Sequence, residues 1–146
     1  MDGRVWRLLG TVQLLFMAAI FAVCALLGGC DSQVELESGA ATYMKCHWTF
    51  VACSVFAVAG FVIALVAQTA KEAQARRFLA VALIAVFAAI AYLPTPLGVG
   101  ICASADMACH LAGYLTWGLC AAGIILAIIQ AVKADPASAE RPKMQL

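Results

Sequence analysis

MKCHWTFVACSVFAVAGFVIALVAQT, residues 44–69, and MACHLAGYLTWGLCAAGIILAIIQ, residues 107–130, decide the fold of this chain. Each stretch opens on Met-x-Cys-His, with Met44 and His47 in the first and Met107 and His110 in the second. Thirteen residues after each histidine a glycine follows, starting Gly60-Phe-Val-Ile-Ala in one copy and Gly123-Ile-Ile-Leu-Ala in the other. Both stretches end near a glutamine, Gln68 and Gln130, and an earlier cysteine precedes each, Cys30 and Cys102. One unit used twice sets the architecture before any other feature is weighed.

The 146-residue chain is 65% hydrophobic and only 12% charged, too apolar for a soluble domain of this size. Charge is missing from residues 8–29, 48–69, 78–93 and 111–132. About 20 apolar helical residues cross the ~30 Å hydrocarbon layer. The third run is short before Pro94, but the uncharged stretch 96–101 extends it. The expected fold is an all-α integral membrane protein, a four-transmembrane-helix bundle of two parallel helical-hairpin repeats. The first hairpin takes residues 1–70, with spans 8–29 and 48–69; the second takes 71–133, with spans 78–101 and 111–132. The tail, 134–146, with two prolines and mixed charge, is expected to be disordered and cytoplasmic. Small-residue spacings such as Gly118 to Ala122, Ala18 to Ala22 and Ala85 to Ala89 suggest close helix packing.

Orientation follows from the basic residues. Arg4, Arg7, Lys71, Arg76, Arg77, Lys133, Arg141 and Lys143 mark one side, and only Lys45 falls on the other, beside Asp31, Glu35, Glu37 and Asp106. The positive-inside rule makes the first side cytoplasmic, with both termini inside and both Met-x-Cys-His copies outside. A net charge of +1 gives no basis for nucleic-acid binding. The expected partners are membrane lipid and another membrane protein or transport complex.

Cys24, Cys53 and Cys120 fall within spans, where thiols act as small buried hydrophobes. Cys30, Cys46, Cys102 and Cys109 fall at the outer face, and an even set in an oxidising compartment reads as two disulfides. Pairing within each hairpin, Cys30 with Cys46 and Cys102 with Cys109, is the simplest of three connectivities. Leu27-Gly28-Gly29-Cys30 also resembles a lipobox, but its apolar run of 22 residues exceeds the ~7–15 of a signal peptide.

The chain has only two histidines, at matched positions of the repeat. On a first helical turn Met44 and His47 share a face, as do Met107 and His110, while each cysteine is displaced. Two imidazoles and two thioethers form a soft set suited to copper, or to axial ligation of haem iron. The plainer alternative is an interfacial aromatic belt of Tyr43, Trp48, Tyr92 and Tyr114 with histidines beside it. A Cys-x-x-Cys-His haem attachment is disfavoured because Tyr43 and Asp106 stand where its first cysteine belongs. Phosphate loops and zinc-protease motifs are lacking. Gln13, Gln68 and Gln130 are candidates for bonds across helices.

Residues 44–49, the stretch from Pro96 to Cys102 and the second Met-x-Cys-His resemble an uncharacterised bacterial four-span family, Domain of Unknown Function 4418. The resemblance implies a small multi-pass protein of the bacterial inner membrane with an extracytoplasmic cysteine/histidine cluster, and implies no activity. Two function classes follow. One is a binding or accessory subunit whose outer site holds a soft metal, haem or a partner. The other is a membrane thiol-disulfide oxidoreductase passing electrons to quinone, similar in outline to known enzymes but without their Cys-x-x-Cys. Absence of that motif favours the first. Should neither metal nor haem be found, a quinone carbonyl is the next ligand for an outer histidine.

Overall fold

A computed structural model describes residues 3–28, 33–35, 39, 41–102 and 108–134. Four helices dominate it: α1 (Gly3–Leu26), α2 (Lys45–Thr69), α3 (Ala73–Tyr92) and α4 (Ala108–Lys133). Each is long and apolar enough to cross a membrane. They pack in a ring, α1 against α2 and α4, and α3 against α2 and α4, so every neighbouring pair is antiparallel. Between α1 and α2 a short antiparallel ribbon joins β1 (Gln33–Glu35) to β2 (Ala41–Tyr43), with Gln33 opposite Tyr43. This ribbon and residues 93–102 lie at the end of the bundle away from the described termini. The ribbon was not expected from the sequence. The tail beyond Ala134, expected to be disordered, lies outside the described residues, as do Cys30 and Met107.

The third span gains its length differently from the expectation. α3 starts at Ala73 and so takes in Arg76 and Arg77; its 20 residues suffice for about 30 Å. It ends at Tyr92, because Pro94 has no N–H to continue the helix. Residues 93–100 then turn back on themselves: Leu93 O accepts from the N–H groups of Val99 and Gly100, both at 3.1 Å. Tyr92 Oη donates to Leu97 O at 2.7 Å. Gly100 sits at φ +87°, a conformation available cheaply only to glycine.

Apolar bulk points outward, with Leu8, Leu15, Val55, Val62, Phe78, Ile125 and Val132 all exposed. The interior holds the polar groups Gln13, Thr49, Thr116 and Gln130 among small and aromatic side chains. That inversion suits a lipid solvent, where helices gain little from burying leucine and associate through close packing and interhelical bonds. Gln13 Nε2 donates to Gly123 O at 3.2 Å and, at 3.5 Å, to Gln130 Oε1, linking α1 to α4. Trp6 Nε1 donates to Ala67 O at 3.2 Å, and the Arg76 guanidinium lies 5.0 Å from the Trp6 ring centre.

The two hairpins share one buried register. The eight buried positions of α4 are those of α2 displaced by 63 residues: Cys46 and Cys109, Thr49 and Ala112, Phe50 and Gly113, Cys53 and Thr116, Ala57 and Cys120, Gly60 and Gly123, Ala64 and Ala127, Ala67 and Gln130. In α1 and α3 the corresponding displacement is 70, pairing Gly10 with Ala80, Gln13 with Leu83, Met17 with Phe87, and Ile20 with Ile90. Contacts repeat as well. A Cβ on Gly60 would fall 2.5 Å from Met17 Cε, and one on Gly123 would fall 2.4 Å from Phe87 Cζ. Close approach therefore occurs at Gly60 and Gly123. The expected packing pairs face elsewhere: Ala18, Ala22, Ala85 and Gly118 are exposed, and nothing lies within 4 Å of a Cβ on Gly118.

Candidate functional site at the ribbon end

Two cavities of nearly equal size open at the ribbon end. One, about 350 Å³, is bounded by Pro94, Cys102, His110, Gly113, Tyr114 and Trp117. The other, about 360 Å³, is bounded by Cys24, Gly28, His47, Phe50, Val51 and Ser54. The α4 wall of the first, residues 110, 113, 114 and 117, recurs displaced by the same 63 positions as 47, 50, 51 and 54 in the α2 wall of the second, which adds Val55 and Val58. Both histidines thus take the same structural place, each in its own hairpin's cavity.

The contents differ. His47 stacks on Tyr43 with ring centres 4.4 Å apart and meets Trp48 edge-on at 5.6 Å. His110 instead bonds through Nε2 to the carbonyl oxygen of Cys102 at 2.8 Å. A carbonyl only accepts, so Nε2 carries the hydrogen, and in the neutral ring Nδ1 remains an acceptor. Tyr114 and Trp117 meet edge to face at 5.8 Å, and Trp117 Nε1 donates to Ala91 O at 2.9 Å, fixing the indole against α3. The His110 cavity is therefore walled by aromatic rings and Pro94.

Beside this cavity the hairpins touch through cysteines. Cys102 Sγ lies 3.0 Å from Cys46 Sγ. Cys46 is wholly buried in the first turn of α2, while Cys102 is half-buried. Thr49, one turn along α2, donates to Gly100 O at 2.6 Å, holding the segment that carries Cys102 against the first hairpin. Cys30, the partner expected for Cys46, lies outside the described residues; Cys102 and Cys109 are free thiols, with Cys109 buried. The core cysteines, as expected, are buried free thiols; Cys53 Sγ lies 3.8 Å from Ile90 O and Cys24 Sγ 3.9 Å from Thr116 Oγ1.

Among the described residues no three His, Cys, Asp or Glu side chains are grouped to hold a metal ion. Met44 is half-buried against the core. The residues missed from the sequence were Thr49, Gly100, Gly113 and Trp117. Thr49 stands two residues after His47, within the repeated motif region, but its partner lies 51 residues away and no local pattern reveals it.

Fold and site together define a multi-pass four-helix membrane protein with paired cavities at one end. The chain belongs to the family described as Domain of unknown function (DUF4418), whose model matches residues 7–134. No curated protein and no solved structure matches the chain.

Proposed function

We propose that this protein is a binding or accessory component of the bacterial inner membrane, with its termini cytoplasmic and its ribbon end extracytoplasmic, and that the His110 cavity binds a small membrane-soluble ring compound of the quinone class. The observation carrying this reading is the cavity itself. Its volume of about 350 Å³ falls in the range of small-molecule sites, its walls are aromatic, and it presents one imidazole. Tyr114, Trp117 and Pro94 give a flat ring a wall on which offset or edge contacts with aromatic faces are favourable. With Nε2 tethered to Cys102 O, Nδ1 of His110 is the atom left to accept from the hydroxyl of the reduced ring, while the oxidised ring is held by its aromatic contacts alone. The His47 cavity is the weaker candidate because its imidazole is already stacked on Tyr43. Copper and haem drew on both histidines at one shared site; each imidazole lines a separate cavity, which favours an organic ligand over a metal.

Quenching of Trp117 by a short-chain ubiquinone tests the proposal in protein purified in mild detergent. Saturable quenching is expected in the wild type and its loss in Trp117→Phe. Gly113→Leu should weaken binding by roughly tenfold, about 1.4 kcal/mol, since a Cβ there meets only Ile101 at 3.8 Å and a longer side chain grows into the cavity. Equal quenching in the wild type and Gly113→Leu would sink the proposal.

A further inference from the structure

Cys46 and Cys102 belong to different hairpins, 56 residues apart in sequence, yet their sulfurs are 3.0 Å apart. A disulfide needs about 2.05 Å, so ~1 Å of movement joins them. Among the described residues the pair presents its surface through Cys102. Cys46 has no exposed surface, whereas Cys102 lines the His110 cavity. An oxidant held in the cavity therefore has Cys102 in the wall around it. We propose that Cys46 and Cys102 are a redox pair, oxidised by a quinone in the His110 cavity to a disulfide that ties the first hairpin to the second.

This rests on the cavity binding a quinone. The step balances between the two partners. Two S–H bonds break and one S–S bond forms; the thiols lose two electrons and two protons. The quinone takes both electrons and both protons at its two carbonyl oxygens and leaves as the quinol. His110 holds the Cys102 backbone through its Nε2 bond, and Thr49 holds Gly100 two residues earlier, so both ends of the short segment carrying Cys102 are fixed beside Cys46. The inference departs from the within-hairpin pairing of Cys102 with Cys109 that spacing alone suggests, and it makes the disulfide a bond between hairpins.

The test uses the full chain in mild detergent, reduced with a phosphine, freed of reductant and oxygen, then exposed to a short-chain ubiquinone. Remaining thiols are alkylated and the peptides mapped, while quinone consumption is followed by its ultraviolet absorbance. One quinone should be consumed per chain, with Cys46 and Cys102 protected together and recovered as one linked peptide. Cys46→Ser and Cys102→Ser should each abolish consumption, and Cys120→Ala should not. Saturable quenching of Trp117 with both cysteines still alkylated would overturn the redox pair while leaving the binding cavity intact. No quenching and no thiol loss would remove both. A disulfide from either cysteine to a third one would overturn the pairing, whatever the quinone does.

Discussion

At the residue scale, the two hairpins are joined internally by a large side chain over a glycine, Met17 over Gly60 and Phe87 over Gly123. The two contacts are equivalent in position but not in tolerance. Methionine is flexible and can swing its Cε away from a new methyl group, whereas the Phe87 ring is wholly buried and rigid. Gly123→Ala should therefore destabilise the protein by about 1–3 kcal/mol through overpacking, and Gly60→Ala by less. Gly118→Ala, exposed and with nothing near its Cβ, should be neutral or slightly stabilising. Thermal unfolding in detergent checks the order. A Gly118→Ala protein less stable than Gly123→Ala would show that the close approaches have been misplaced.

At the element scale, the α3–α4 connection decides what the ribbon end can do. Its turns end α3 at Tyr92, Gly100 takes a left-handed backbone, and the Thr49 hydroxyl pins it to α2. Thr49→Val keeps the shape of the side chain and removes that bond, at a cost of about 1 kcal/mol. Oxidation of Cys46 with Cys102 by a soluble disulfide-forming reagent should then slow several-fold, since the two thiols are no longer held together. An unchanged rate would mean that the loop is positioned by other contacts. Elements of this kind explain what was legible in the sequence. Apolar runs disclosed the four spans, because helix length and hydropathy are local properties. Lack of charge predicts a third span over 78–101, whereas α3 runs from Ala73 to Tyr92, since long basic side chains can reach the interface from within a helix. Which cysteine meets which was hidden, since Cys46 and Cys102 are joined only by the packing of one hairpin against the other.

At the scale of the whole molecule, matched burial registers place both histidines at equivalent sites, yet the hairpins have diverged in what surrounds them. Cys24, Val51 and Ser54 stand in one cavity where Pro94, Tyr114 and Trp117 stand in the other. The expectation of one shared histidine site came from the twofold occurrence of Met-x-Cys-His. Separation of the two cavities was not readable, because a repeat fixes equivalence and leaves distance to the packing of the bundle. Under the proposed function, ring binding belongs to the second hairpin's cavity and not to the first's. Photolabelling of the protein in native membranes with an azido-quinone, followed by peptide mapping, tests this most directly. Label is predicted on residues 94–102 and 110–117, with competition by unlabelled quinone. Label spread along the outward-facing Leu15, Val62 and Ile125, or concentrated around His47, would contradict it.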